Sequence, residues 1–430
     1  DQPEEIHLLI FHLLESAAVG LALWKHSLSN SIKKEMASLF NLSEDAFGNL
    51  LAYWIGLHDI GKAAPAFQIM IKKGNPSLLQ AICKSGLEID PFPPKAHHSL
   101  MSGKYLSQKD TIPEEVEVAV SGHHGKWNTF YRQIHTLSYG GQEWNAVRDT
   151  LEEILRQVLS IPQQLLPPLE TIEDRNIFTT WLSGIICAAD WITSNKDFFP
   201  YQNTWQDPID YFAKSVNKAV EALRKIGWIG WRSQGQILTF EQMYHFKGWK
   251  KPRDIQQKAI DAYRVFNPQM PFIMIIEAPT GIGKTEIALY LADQWLQKSF
   301  GSGMYIAMPT QATSNQLYQR SKEVLENRYK DQLVNLVLAH GQARWNEEVN
   351  AVRVKEVGED NDQSLIASDW FQNNRKRTLL TPFGVGTVDQ VFLSILQTKH
   401  FFVRLFGLKN KVIIFDEVHA YDTYMNTLFH

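Results

Sequence analysis

The ten residues EAPTGIGKTE, Glu277 to Glu286, constrain the fold more than any other stretch of this chain. They follow the apolar run FIMIIEA, Phe272 to Ala278, and open an amphipathic pattern. A strand, a glycine-rich turn and a helix in that order make a phosphate-binding loop. Backbone N–H groups from Gly281 to Thr285 would wrap phosphate oxygens at the start of the helix. Lys284 would bring a point charge to the outer phosphates, and Thr285 a hydroxyl to Mg²⁺. Thr280, Gly281, Gly283, Lys284 and Thr285 are therefore candidate nucleotide ligands. A chance Gly-Lys-Thr in a glycine turn is the plainer alternative, and the flanking strand and helix argue against it.

The surrounding sequence has the grammar of a parallel α/β domain. MYIAMPT, VNLVLAH, RTLLTP and KVIIFDE read as further short strands between amphipathic helices. Such alternation predicts a parallel sheet with helices on both faces. VIIFDEVHAYD, Val412 to Asp422, ends a strand in two acids about 130 residues after the loop. An aspartate there, Asp416, would hold Mg²⁺, and Glu417 would polarise an attacking water.

The first half reads differently. EEIHLLIFHLLESAAVGLALW, AFGNLLAYWIGLHDIGKAAPAF and NIFTTWLSGIICAADWITS space their apolar residues by three and four. That period predicts helices, broken at Gly74-Asn75-Pro76 and from Ile89 to Pro94. Polar residues interrupt these apolar faces: His12, His58-Asp59, His97-His98, His123-His124 and Asp190. A lone histidine on an apolar helix is more often a satisfied core residue than a ligand. Repeated histidine signals with aspartates in one helical domain favour a shared metal centre, because buried polar groups are costly without a partner. Residues 1–205 are read as this helical domain, 206–247 as a linker and 248–430 as the nucleotide-binding lobe.

The totals agree with a folded protein of two or three domains: 430 residues, 44% hydrophobic and 21% charged. Net charge is −3, so any nucleic-acid binding must come from local patches. The two cysteines, Cys83 and Cys187, lack metal-ligand spacing and read as reduced core residues of a cytoplasmic protein. No secretory leader or membrane-spanning run is evident, and the expected state is a monomer. The chain begins at Asp1 and ends 11 residues after His419, which suggests a fragment of a longer protein.

DEVH after VIIF resembles motif II of the DEAH-type superfamily-two helicases. In that resemblance Ala278, at the first position of the loop pattern, is ordinary. PRDIQ, Pro252 to Gln256, resembles the Q-motif, in which Gln256 would read the adenine edge. MPTQATSNQLYQR (Met308 to Arg320) and TPFGVGTVDQVF (Thr381 to Phe392) resemble motifs that touch a nucleic-acid backbone without reading bases. The order His, His-Asp, His, His-His, Asp resembles the HD phosphohydrolase superfamily. An HD domain ahead of a DEVH helicase lobe is similar to the CRISPR-associated HD nuclease-helicases of type I systems, with motifs like the I-E branch.

This likeness implies an all-α HD domain followed by a RecA-like, P-loop lobe of the superfamily-two type, the second lobe being absent. It implies one metal on His12, His58, Asp59 and Asp190. Asp59 would bridge to a second metal on His98, His123 and His124, since a carboxylate has two oxygens. His98 is favoured over His97 because HSLMS fits the family's His-x-x-x-Ser pattern. Such imidazole-rich sites favour Mn²⁺, Fe²⁺, Co²⁺ or Ni²⁺ over Mg²⁺. Lys62 would neutralise the scissile phosphate, or is simply a solvated helix lysine. His340 reads as a packing or motif-contact residue rather than a ligand.

The implied activity is metal-dependent cleavage of single-stranded DNA, delivered by an ATP-driven motor and recruited by an RNA-guided surveillance complex. ATP with Mg²⁺ would occupy the lobe. A fragment with one lobe is expected to turn over ATP poorly. The competing reading is an HD nucleotide phosphohydrolase fused to a P-loop ATPase. A third reading makes the HD domain an inactive docking module.

Overall fold

The computed structural model describes residues 6–73, 75–127, 133–231, 235–267, 271–298, 300–330, 332, 334–339, 369–372 and 377–429. They form two compact units. The first comprises Asp1–Leu28, Ile32–Lys225 and Gln397–Phe406, and the second Ser29–Ser31, Ile226–Leu396 and Gly407–His430. His340 lies outside the described residues.

Among its described residues the first unit has helices and no strand. Its helices are α1 (Leu9–His26), α2 (Asn30–Ser38), α3 (Glu44–Gly56), α4 (Pro65–Gln68), α5 (Pro76–Lys84) and α6 (His98–Leu106). They continue with α7 (Glu114–Ser121), α8 (Thr136–Tyr139), α9 (Gln142–Val158), α10 (Ile172–Thr193) and α11 (Pro208–Lys225). Thus part of the stretch read as a linker is a helix of the first unit.

Helix α1 is buried from Ile10 to Trp24, including His12 and Glu15. A helix covered on all sides sits at the centre of its domain. It packs on α3, α10 and α11. Ser43 caps α3 by accepting from the Ala46 N–H, and Thr171 caps α10 by accepting from Asp174. Trp54 and Phe178 stand edge to face at 5.8 Å and Phe40 and Phe178 at 5.0 Å, a geometry aromatic quadrupoles favour. Cys187 is buried, but Cys83 is exposed, against the sequence reading. Helix α5 buries no residue, so the apolar neighbours of Cys83 only brush the domain surface.

The second unit holds a four-stranded parallel sheet of order β2-β3-β1-β4. The strands are β1 (Gly303–Met308), β2 (Leu336–Ala339), β3 (Phe383–Thr387) and β4 (Lys411–Phe415). Helices α12 (Phe240–Met243), α13 (Asp254–Phe266), α14 (Lys284–Gln297) and α15 (Gln311–Arg328) belong to the same unit.

Two strand expectations need correction. RTLLTP forms a 3₁₀ turn at Thr378–Leu380, and the strand begins after Pro382 as FGVGT. Its glycines hid it, since glycine weakens an isolated strand signal. They are required by packing: a Cβ at Gly386 would lie 2.2 Å from the Ala339 carbonyl oxygen. Residues 272–278 form no ladder. Phe272, Met274 and Ile276 pack on the core while Ile273 and Ile275 are 91% and 81% exposed. The run keeps a strand's period of two, with one face covered and no strand pairing among the described residues.

Among the described residues no helix is long and apolar enough to cross a membrane.

Candidate metal centre and nucleotide cleft

Helix α3 tightens at its end into a 3₁₀ turn, Leu57–Lys62, which carries both His58 and Asp59. Both are buried, at 0% and 1% exposure. Gly61 brings this turn against the start of α6. A Cβ there would lie 2.2 Å from the His98 carbonyl oxygen, and its N–H donates to the Ser102 hydroxyl at 2.9 Å. α1 contributes His12, α6 His98, the turn after α7 His123 and His124, and α10 Asp190.

The Asp59 carboxylate faces two groups. Its Oδ2 lies 3.0 Å from His12 Nε2, 3.2 Å from His58 Nε2 and 2.5 Å from Lys62 Nζ. Its Oδ1 lies 3.1 Å from His98 Nε2 and 3.6 Å from His123 Nε2. Asp190 Oδ1 is 3.6 Å from His58 Nε2, and His124 Nε2 is 2.8 Å from His98 Nε2. His12, His58, Asp59 and Asp190 offer donor atoms all within 4.8 Å of one another, as do Asp59, His98 and His123. His97, His98 and His124 do so too. The His97 Nδ1, however, accepts from the Ser99 N–H at 3.4 Å and caps α6.

The donor set fits divalent cations. His58 Nδ1 donates to the Ile55 carbonyl at 2.9 Å and His123 Nδ1 to Val120 at 2.7 Å. Those bonds fix the tautomer and leave each Nε2 lone pair turned to the centre. His58 Nε2, His123 Nε2 and Asp59 Oδ1 are buried without a hydrogen bond, a state that a shared cation would relieve. Burial holds His123 well below the usual imidazole range. Burial, with His98 and His97 nearby, lowers His124 to about 4. Both are therefore neutral at pH 7, the form that ligates. Burial would lower His58, but Asp59 and Asp190 outweigh it and raise it to about 10. This imidazolium and Lys62 in turn outweigh burial and hold the Asp59 carboxyl well below its usual range. A cation at the centre would take the place of the His58 proton.

In the second unit Gly281 and Gly283 take φ of +79° and +89°, values that favour glycine. Lys284 opens α14, and its Nζ donates to the Ala278 carbonyl at 2.8 Å. The Thr285 hydroxyl donates to Asp416 Oδ2 at 2.6 Å. Glu417 takes φ +54° at the end of β4, beside Asp416. These groups and Thr280 line a cleft of about 540 Å³. Gln256 is buried, its oxygen accepting from the Arg253 N–H at 2.9 Å and its amide donating to the Gly283 carbonyl at 3.0 Å. To read an adenine edge it would have to exchange one of these bonds.

Sequence reasoning assigned no role to four basic residues at this cleft. Arg253 donates to the Gly281 carbonyl at 2.5 Å, and Arg320 bonds Glu286, the residue after Thr285. Lys250 and Lys251 also line it. The basic run KKPR ahead of Gln256, and the end of MPTQATSNQLYQR for Arg320, were the available signals.

A family profile described as "Cas3, HD domain" matches residues 1–199, and one described as "Type III restriction enzyme, res subunit" matches 250–426. The chain is 34% identical over 440 residues to the CRISPR-associated endonuclease/helicase Cas3 of Thermus thermophilus, across 98% of this chain. The chain belongs to the CRISPR-associated Cas3 family. It spans about half the length of the Cas3 relatives it matches, 46% in the Thermus case. A crystal structure described as a CRISPR-associated protein superposes with a TM-score of 0.81 at 30% identity, covering 100% of this chain and 49% of that one. The crystal structure of T. fusca Cas3-ATP gives 0.77 at 27% identity, over 98% of this chain and 46% of that one. The Cas3 likeness covers both the helical HD unit and the parallel α/β helicase lobe.

Proposed function

We propose that the first unit is a metal-dependent nuclease for single-stranded DNA, and the second the first lobe of the ATP-driven motor that feeds it. The observation carrying this reading is the two-sided environment of Asp59, with separate ligand groups at Oδ1 and Oδ2. His12, His58 and Asp190 would hold one divalent ion with Asp59. His98, His123 and His124 would hold the other. Five imidazoles make Mn²⁺, Fe²⁺, Co²⁺ or Ni²⁺ the fitting ions. Such a pair supplies a hydroxide nucleophile at neutral pH and charge for the phosphodiester.

The remaining chemistry belongs to the chain. The Ile55 and Val120 carbonyls keep His58 and His123 oriented. Asp59 stays ionised under burial. Lys62 sits on a flexible stem at the edge of the centre, where it neutralises the scissile phosphate.

In the lobe, Lys284 and the backbone from Gly281 to Thr285 hold the ATP phosphates. Thr285 and Asp416 would hold its Mg²⁺, and Glu417 would orient the attacking water. Membership of the Cas3 family supports a role in type I CRISPR interference, in the cytoplasm, on DNA opened by an RNA-guided surveillance complex.

The test incubates the 430-residue chain with Mn²⁺ or Ni²⁺ and either circular single-stranded DNA or a panel of nucleotides. Nicking of the circle is expected. Nucleotide hydrolysis with the circle intact would overturn the reading.

A further inference from the structure

The chain comes back to the first unit late in its sequence. Between the helix Val388–Ile395 and strand β4 it contributes Gln397–Phe406 to that unit and then returns at Gly407 to the second. This ten-residue arm lies on two ligand-bearing elements. The His400 N–H donates to the Gly125 carbonyl at 2.9 Å, one residue past His124. Gly125 has φ +115°, and a Cβ there would lie 2.6 Å from Lys399 Cγ and 2.7 Å from the His400 ring. The His400 ring also packs on Trp191 at 5.5 Å between centroids, next to Asp190.

Two further contacts fasten the arm. Trp127 packs on Phe401 and Phe402 at 5.2 and 5.9 Å, while its indole N–H donates to Ser183 of α10 at 2.9 Å. On α10 itself, a Cβ at Gly184 would lie 2.3 Å from Phe406 Cβ. The arm therefore touches both the turn carrying His123 and His124 and the helix carrying Asp190.

We propose that Gln397–Phe406 is a positioning arm for the metal centre, with His400 seating the His124–Gly125 turn against Trp191. This rests on the ligand assignment above. His400 acts through the backbone of the turn, by its bond to the Gly125 carbonyl. The arm is also covalently close to the nucleotide cleft, ten positions separating Phe406 from Asp416.

The test uses the full chain and two variants. His400→Asn tolerates the residue's φ of +63° but lacks the ring; His400→Phe keeps a ring. Mn²⁺ binding is read by calorimetry and by the electron paramagnetic resonance of a coupled manganese pair. Two ions are expected in the parent. In His400→Asn the weaker ion should bind about tenfold less tightly, with the coupled signal replaced by an isolated Mn²⁺ signal. His400→Phe should restore the pair. Unchanged binding in His400→Asn overturns the proposal. So does an equal loss of both ions with a lowered melting temperature, which marks a purely structural residue. A parent chain that binds no Mn²⁺ overturns the ligand assignment itself.

Discussion

His98 Nε2 lies 3.1 Å from Oδ1 of Asp59, the oxygen that His12 leaves alone. Its neighbour His97 spends Nδ1 on the Ser99 N–H instead. Adjacent histidines thus do different work. His98→Ala should remove one of two bound ions, measured by elemental analysis after dialysis. His97→Ala should keep both ions and cost about 1 kcal/mol of stability, the usual effect of losing a helix cap.

Asp59→Asn is expected to be more severe than any single histidine change. The amide keeps the volume but lacks the charge that both ligand groups face. Both ions should be lost together, and cleavage of single-stranded DNA should fall by at least about 100-fold. Retention of one tight ion would show that Asp59 does not bridge.

Lys284→Ala should weaken ATP binding by about 10- to 100-fold, the worth of a charge-assisted hydrogen bond. A fluorescent ATP analogue reports the loss. Ion stoichiometry should not change, because every proposed metal ligand lies in the first unit. A joint loss would argue for misfolding.

Acid sensitivity should trace to Glu152. Burial opposes its charge, but bonds from Tyr105, Tyr53 and Arg156 outweigh burial and lower it from 4.5 to about 2. A depressed carboxyl contributes stability that is fully present above its unfolded pKa and lost as pH falls through its folded one. Denaturant titrations of the parent should therefore lose stability between about pH 4.5 and 2. Glu152→Gln should be less stable at pH 7, with the two curves converging at the acid end.

Trp54→Ala should destabilise the first unit by about 3–5 kcal/mol. The side chain is fully buried between Phe40, Phe47 and Phe178. Urea unfolding followed by circular dichroism should show an earlier first transition. The ATP affinity of the second unit should not move.

Local chemistry made much of this legible. His58 and Asp59 stood out because their neighbours are apolar, and the phosphate loop because glycines at positive φ precede a helix. Strand β3 was shifted because Gly384 and Gly386 are chosen by the closeness of Tyr305 and Ala339, which no local window contains. Cys83 looked buried because its neighbours are apolar, although helix α5 buries none of its residues. The Gln397–Phe406 arm was unreadable for the same reason at longer range. Its partners, Gly125, Trp127 and Trp191, lie in another domain's sequence. Residues 272–276 read as a strand from their apolar run, but one of their faces is exposed and pairing is a property of neighbours.

Gly61 has no side chain with which to bind anything, yet it governs the width of the centre. The hydrogen at its Cα is all that separates the His58–Asp59 turn from the backbone of His98 and Ser102. Any larger residue pries α6 away and carries His98 off its carboxylate. A screen for chains that have lost a bound ion would then recover position 61 beside the ligands, and the lesion would be one of caliper rather than chemistry.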